Sequence, residues 1–163
     1  STGEVMGLDT DFGRAFAKAQ MAAGHDLPQS GKIFMSVKNY DKPAAVQLAR
    51  DAIELGFVIV ATHGTAEALE KEGLDVTPVN KVQEGRPHIV DMMKNGDINL
   101  VFNTTESKQA VVDSFSIRRT ALSNDIPYYT TIAGARATLR AIDNLKRGAL
   151  AVRPVQEYLG DEY

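Results

Sequence analysis

Short, uninterrupted runs of apolar residues recur along the chain, separated by longer segments in which apolar residues return every third or fourth position. Five such runs lie at 32–37, 57–61, 76–79, 98–102 and 127–129. Apolar runs of this length, without polar alternation, are typical of strands buried on both faces of a parallel sheet. The pattern therefore predicts five strands.

The segments between these runs have the periodicity of amphipathic helices. We expect helices over 11–23, 42–55, 65–71, 87–94, 107–122 and 132–145. Asp41 is expected to cap the second helix and Gly56 to end it, while Pro87 suits the first turn of the fourth. Strands that alternate with helices at this spacing form βαβ units. The predicted fold is α/β, a Rossmann-like three-layer α/β/α sandwich around a five-stranded parallel sheet.

Hydroxyl, amide, ammonium and imidazole groups follow the carboxyl ends of the predicted strands. They belong to Ser36, Lys38, Lys42, Thr62, His63, Thr65, Asn80, Lys81, Asn103, Thr104, Thr105, Thr130 and Thr131. Open α/β sheets bind ligands outside this edge, and helix N-termini favour anions. The sequence therefore predicts a site for phosphate or a phosphate-bearing small molecule. Ser, Thr and Asn are also ordinary helix caps, so plain capping remains the alternative explanation for each of them.

The composition narrows the classes of function. The 163 residues include no cysteine, which excludes disulfides, thiolate nucleophiles and cysteine-ligated metals. A net charge of −3 argues against nucleic acid as a partner, and no apolar run is long enough to span a membrane. Neither a P-loop nor a G-x-G-x-x-G or G-x-S-x-G motif occurs, and no histidine pair has metal-ligand spacing. We expect a cytoplasmic protein without a metal site.

Five short strings, in this order, resemble one family. They are STGEVMG at 1–7, ATHGTA at 61–66, VNKVQEGRPHI at 79–89, NTT at 103–105 and IRRTAL at 117–122. They resemble the C-terminal, methylglyoxal-synthase-like allosteric domain of the large subunit of bacterial carbamoyl phosphate synthetases. The resemblance implies a linker and helix at 1–31 that join a preceding ATP-grasp domain, an effector-binding domain at 32–150 and a tail at 151–163. The chain would then be a fragment.

The resemblance also implies a function without chemistry in this domain, and so no catalytic residue. In the family the domain tunes a glutamine-hydrolysing ligase that makes carbamoyl phosphate for the pyrimidine and arginine pathways. UMP inhibits the bacterial enzymes, whereas IMP and ornithine activate them. ATP, Mg or Mn, and K are implied for the full synthetase but not for this part. The implied partners are the rest of the large subunit and the glutaminase small subunit, with neither nucleic acid nor membrane.

The resemblance assigns site residues as well. The nucleotide site matches Ser36, Lys42, Thr62, Thr65, Lys81, Asn103, Thr104 and Thr105, and the ornithine side matches Tyr128 and Thr130. Lys42, Thr62 and Thr65 would hold the phosphate, while Lys81 and Asn103 would contact the sugar or phosphate side. The chain departs from the family at Glu106-Ser107-Lys108-Gln109, where arginines are usual, and at Tyr129, where the family has an acid. The first departure bears on the affinity and preference for a nucleotide, and the second bears on whether ornithine is sensed.

Two enzymes of the same fold are the alternatives. Methylglyoxal synthase eliminates phosphate from dihydroxyacetone phosphate and needs a carboxylate base, which that family carries after the third strand. Here the comparable loop, 80–87, has Glu84 as its one acid, and we expect Glu84 to pair with Arg86. His63 is either a base or phosphate donor, or a local hydrogen-bonding residue. A cyclohydrolase of purine synthesis shares the fold and fits the motifs less well.

Overall fold

The computed structural model describes residues 4–104, 108–148 and 150–159, with the backbone alone at 108–113 and 159. Its strands are β1 (Gly31–Ser36), β2 (Phe57–Thr62), β3 (Val76–Val79), β4 (Leu100–Asn103) and β5 (Tyr128–Tyr129). Its α-helices are α1 (Phe12–Ala22), α2 (Lys42–Glu54), α3 (His63–Glu70), α4 (Ile89–Lys94), α5 (Lys108–Ser123), α6 (Ile132–Arg147) and α7 (Gln156–Leu159). Short 3₁₀ turns cover Asn39–Asp41 and Val82–Glu84.

Backbone contacts divide the chain into two units. One runs from Ser30 to Arg136 and contains the whole sheet, and the other is formed by the segments up to Gln29 and from Ala137 onward. The domain boundaries predicted at 31 and 150 refer to a longer protein and stay predictions.

The sheet has five parallel strands in the order β3-β2-β1-β4-β5. Strand β1 is central, and its Ile33 pairs in register with Ile59 of β2 and with Leu100 of β4. Helices on both faces complete the three-layer architecture. The predicted fold class is confirmed.

One hydrophobic core lies between a face of the sheet and helices α4 and α5. Phe34, Val60 and Val101 contribute from the strands, and Ile89 and Ile117 from the helices. Because side chains alternate across a strand, the neighbours of these strand residues point to the opposite face. Val58 is an exception to the predicted burial of the second strand, since it lies near the start of β2 and is 51% exposed.

The start of α2 differs from the prediction. Asp41 precedes the helix, but its side chain makes no capping hydrogen bond. The reason is local, because Asp41 ends a 3₁₀ turn and has helical rather than extended backbone angles. The predicted helix end at Gly56 is confirmed, since this residue adopts a φ of 88°.

The start of α4 also differs from the prediction. The helix begins at Ile89 rather than at Pro87. His88 caps it, because its Nδ1 accepts from the N–H of Asp91 at 3.3 Å and its own N–H donates to Asp91 Oδ2 at 3.1 Å. This reciprocal pair sets the first turn, and His88 is therefore a capping residue.

Gly31 and Asn99 fit together at the amino end of the sheet. Asn99 Oδ1 accepts from the N–H of Lys32 at 2.8 Å, and the Asn99 N–H donates to Lys32 O at 2.9 Å. Gly31 has a φ of 111°, and a Cβ placed on it would lie 2.0 Å from Asn99 Oδ1. Only glycine fits this position without a shift of the asparagine.

In the unit formed by the chain ends, Lys18 joins three acceptors. Its Nζ lies 2.7 Å from Asp9 Oδ2 and donates to Leu8 O and to the Tyr158 hydroxyl, each at 3.0 Å. These contacts use all three N–H groups of the ammonium. The hydrogen bond from Lys18 is the main cause that lowers the pKa of Asp9 from 3.8 to about 2. Lys18 therefore holds the segment before α1 and the short helix α7.

Candidate anion-binding site

A row of polar side chains crosses the carboxyl edge of the central strands. Ser36, Thr62 and Asn103 are the last residues of β1, β2 and β4. The Thr62 hydroxyl lies 3.3 Å from Ser36 Oγ and 3.3 Å from Thr65 Oγ1. Ser36 and Asn103 are partners in register, so their side chains leave the same face of the sheet. The structure thus brings together residues that are far apart in sequence, as expected for the ends of parallel strands.

Thr62 is not an ordinary helix cap. It occupies the capping position of α3 with an extended backbone, yet its side chain accepts no hydrogen bond from a backbone N–H of the helix. Its hydroxyl is directed instead to Ser36 and Thr65. The first turn of α3 is left without a side-chain cap, and its N–H groups give that end of the helix a partial positive charge.

Two buried threonines hold the segment that follows β1. The N–H of Val37 donates to Thr65 Oγ1 at 3.1 Å, and the N–H of Lys38 donates to Thr104 Oγ1 at 3.1 Å. The Thr104 N–H in turn donates to Ser36 O at 2.9 Å. The sequence offered no signal for these bonds, because their donors are backbone groups of an apolar residue and a lysine.

Lys42 brings a positive charge to the start of α3. It is the first residue of α2, and its Nζ lies 3.9 Å from the point where a Cβ on Gly64 would sit. The hydrogen bond from Lys71 is the main cause that lowers the pKa of Glu67, and the charge of Lys42 adds to it. Among the described residues Lys42 forms no ion pair. Its ammonium thus adds to the positive potential of the uncapped helix end.

The remaining predicted residues lie further from this row. Lys81 follows β3 and Thr130 follows β5, at opposite edges of the sheet, and both are exposed. Thr105 lies outside the described residues. The structure therefore gathers Ser36, Lys42, Thr62, Thr65, Asn103 and Thr104 near the middle of the edge, and it places Lys81 and Thr130 at the periphery.

Tyr128 has a contact that sequence reasoning missed. The Nδ2 of Asn103 donates to the Tyr128 hydroxyl at 2.6 Å. The guanidinium carbon of Arg118 lies 5.5 Å from the centre of the Tyr128 ring. Tyr128 was predicted to lie on the ornithine side, and no contact in the described structure tests that role. Its hydroxyl belongs to the polar row through Asn103.

The candidate acid and base have other partners. Glu84 was expected to pair with Arg86, and this was wrong: Glu84 Oε2 accepts from the Lys81 N–H at 2.7 Å, while Arg86 pairs with Asp91 at 3.3 Å. The 3₁₀ turn over Val82–Glu84 is the reason, because it brings the Glu84 carboxylate back to the N–H of Lys81, the residue before the turn. His63 Nε2 lies 3.0 Å from Asn80 Oδ1, which fits the local role.

Within residues 4–104, 108–148 and 150–159, no group of three or more His, Asp or Glu residues could hold a metal ion. None of the helices in the described ranges is long and apolar enough to cross a bilayer.

Comparison with known proteins gives one family model and several close relatives. Residues 44–130 match the model of the MGS-like domain. The chain is 54% identical over 160 residues to the carbamoyl phosphate synthase large chain of Myxococcus xanthus. It is 55% identical over 142 residues to that of Pseudomonas putida. These matches cover 98% and 87% of the chain but 15% and 13% of those proteins.

A solved structure supports the fold. Methylglyoxal synthase from Elizabethkingia anophelis superposes with a TM-score of 0.56, covering 84% of this chain and 95% of that one. The two sequences are 16% identical, so the likeness concerns the fold alone. The chain spans about 15% of the length of the large-chain relatives, and their activity therefore belongs to much longer proteins.

Proposed function

The chain belongs to the family of MGS-like domains, and from that premise we propose that it is a regulatory domain that binds a nucleoside monophosphate such as UMP or IMP. The phosphate would bind at the carboxyl edge of the sheet, between Lys42 and the start of α3. Ser36, Thr104, Thr105 and Asn103 would line the same site, with Lys81 on the sugar or phosphate side. Tyr128 and Thr130 would lie on the side where ornithine is sensed.

One observation carries this proposal: the first turn of α3 has no side-chain cap, and the ammonium of Lys42 lies beside Gly64 within it. A phosphate at this point would accept hydrogen bonds from backbone N–H groups and from a lysine. Glycine lets the backbone approach the ligand closely. Thr65 belongs to this turn, and its hydroxyl lies 3.3 Å from that of Thr62, the residue before the helix.

The same residues argue against the enzymatic alternative. Proton abstraction from carbon needs a carboxylate base next to the substrate. The gathered residues carry hydroxyl, amide and ammonium groups, and Glu84, the acid in the comparable loop, accepts from the backbone of Lys81. This combination suits binding of an anion better than elimination of phosphate.

The larger context is part of the proposal. Within a carbamoyl phosphate synthetase large chain, the domain would tune carbamoyl phosphate synthesis for the pyrimidine and arginine pathways in the cytoplasm. ATP, Mg or Mn, K and the glutaminase subunit would act on other parts of that enzyme, which residues 1–31 would join to this domain. An effector shifts an enzyme between two conformational states by binding one of them more tightly than the other. The coupling free energy between the effector and the active site is typically ~1–3 kcal/mol.

Calorimetric titration of the chain with UMP, IMP and inorganic phosphate tests the proposal. We expect a nucleotide to bind, and we expect no methylglyoxal from dihydroxyacetone phosphate in a parallel assay. Lys42→Ala should lower the affinity tenfold or more, whereas Lys71→Ala, on the exposed end of α3, should not. Turnover of dihydroxyacetone phosphate, or nucleotide binding that is unchanged in Lys42→Ala, would contradict the proposal.

A further inference from the structure

We propose that Tyr128 is a positioning residue that fixes the side-chain orientation of Asn103 and so makes the site prefer a phosphate ester with a neighbouring hydroxyl over inorganic phosphate. The selectivity rests on the proposed function, whereas the positioning of Asn103 does not. The two side chains are joined by a short hydrogen bond, in which Asn103 Nδ2 donates to the Tyr128 hydroxyl at 2.6 Å.

The strand register explains how the two side chains meet. Tyr128 of β5 pairs with Val101 of β4, and Asn103 lies two positions further along β4. Side chains two positions apart leave the same face of a strand. The Tyr128 ring, extending from the edge strand, therefore reaches along β4 and places its hydroxyl at the Asn103 amide.

The orientation of the Asn103 amide decides what the site offers to a ligand. Asn103 is 3% exposed, so water has little part in orienting it. With Nδ2 directed to Tyr128, the planar amide turns its Oδ1 away from that bond, and Oδ1 is an acceptor. An acceptor repels phosphate oxygens but accepts from a sugar hydroxyl. The opposite orientation, in which the Tyr128 hydroxyl would donate to Oδ1, would offer an N–H group to the ligand, which favours a bare anion.

The Tyr128 ring is itself held in place. It packs against the core between the sheet and helices α4 and α5. On the exposed side, the guanidinium of Arg118 lies 5.5 Å from the ring centre, within the range of a cation–π contact. A ring fixed in this way gives its hydroxyl one position. Arg118 therefore acts on the site through Tyr128 and should have a smaller effect than Tyr128 itself.

The test uses Tyr128→Phe, which removes the hydroxyl and keeps the ring. We expect the affinity for UMP or IMP to fall about tenfold, because the amide loses its fixed orientation. The affinity for inorganic phosphate should stay the same or rise, and the melting temperature should change little. Tyr129→Phe is the matched control, because that ring contacts Phe102 edge-on at 6.2 Å and should leave the ratio of the two affinities unchanged.

A second measurement follows the amide directly. The Asn103 side-chain amide signals in an NMR spectrum of the unliganded protein are identified by their loss in Asn103→Ala. In Tyr128→Phe these signals should move, whether or not any nucleotide binds. If the wild-type chain binds no nucleotide, the proposed function and the selectivity are overturned. The NMR signals of the Asn103 amide then still test whether Tyr128 positions Asn103. Unmoved signals, or equal losses of nucleotide and phosphate affinity, would overturn the inference.

Discussion

The Thr65 hydroxyl, which lies in helix α3, accepts the backbone N–H of Val37 at 3.1 Å and so fixes the segment that follows strand β1. Thr65 is 2% exposed, and this bond is therefore shielded from water. Thr104 makes the matching bond to Lys38 from the other neighbouring strand end. The segment that leads to Lys42 is held from both sides, which prepares the site before a ligand arrives.

Replacement of Thr65 by valine should destabilise the protein. The variant keeps the shape of the side chain but leaves the Val37 N–H buried without its acceptor, a loss of about 1–3 kcal/mol. Urea denaturation measures the free energy of unfolding. Thr65→Ser keeps the hydroxyl and should recover most of the loss. Equal stability of Thr65→Val and the wild type would show that the bond does not hold this segment.

Lys42→Ala should weaken phosphate binding without lowering the melting temperature. A hydrogen bond to a charged group contributes about 1.5–3 kcal/mol, so we expect a loss of tenfold or more in affinity for inorganic phosphate. The dependence of binding on salt should also become weaker. Lys71→Ala is the control, because Lys71 pairs with Glu67 on the exposed surface of α3 at 2.8 Å. A similar loss in both variants would indicate a general charge effect rather than a site.

The Asp9–Lys18 pair predicts a specific dependence on acid. The pKa of Asp9 in the folded protein is about 2, below its ordinary 3.8, chiefly because of the hydrogen bond from Lys18. The stabilisation is therefore complete above about pH 4 and is lost as the pH falls toward 2. Asp9→Asn should lower the melting temperature at neutral pH, and the difference from the wild type should shrink across this acid range.

Asp97→Asn is the control for this acid dependence. Asp97 is exposed and lies 3.9 Å from Lys32, and an exposed pair of this kind contributes little. Its variant should follow the wild type at every pH. A difference between Asp9→Asn and the wild type that stays constant down to pH 2 would contradict the lowered pKa.

Gly31→Ala should destabilise the protein more than Gly96→Ala. Both glycines have a positive φ, at 111° and 77°, and alanine is unfavourable at each. A Cβ on Gly96 meets nothing within 4 Å, whereas one on Gly31 would lie 2.0 Å from Asn99 Oδ1. The additional crowding should cost about 1–3 kcal/mol, measured as the difference in unfolding free energy between the two variants. Equal losses would show that Asn99 gives way freely.

The sequence predicted the strands and the sheet edge at which the candidate polar residues gather, because burial on two faces leaves a clear apolar run and because parallel strands end on one side. It did not predict where individual side chains turn. Asp41 was expected to cap α2, but the preceding 3₁₀ turn changes its backbone angles. The contact of Tyr128 with Asn103 depends on the register of a strand of two residues, which leaves too little periodicity to read.

Gly31 and Asn99 have a consequence for anyone who redesigns sequences on this backbone. A side chain at position 31 requires Asn99 either to turn away or to be replaced by a shorter residue, and either change takes the acceptor from the Lys32 N–H. The residues at positions 31 and 99 therefore have to be chosen together. A library that randomises position 31 alone should return glycine, and a useful alternative will be found only by varying both positions together.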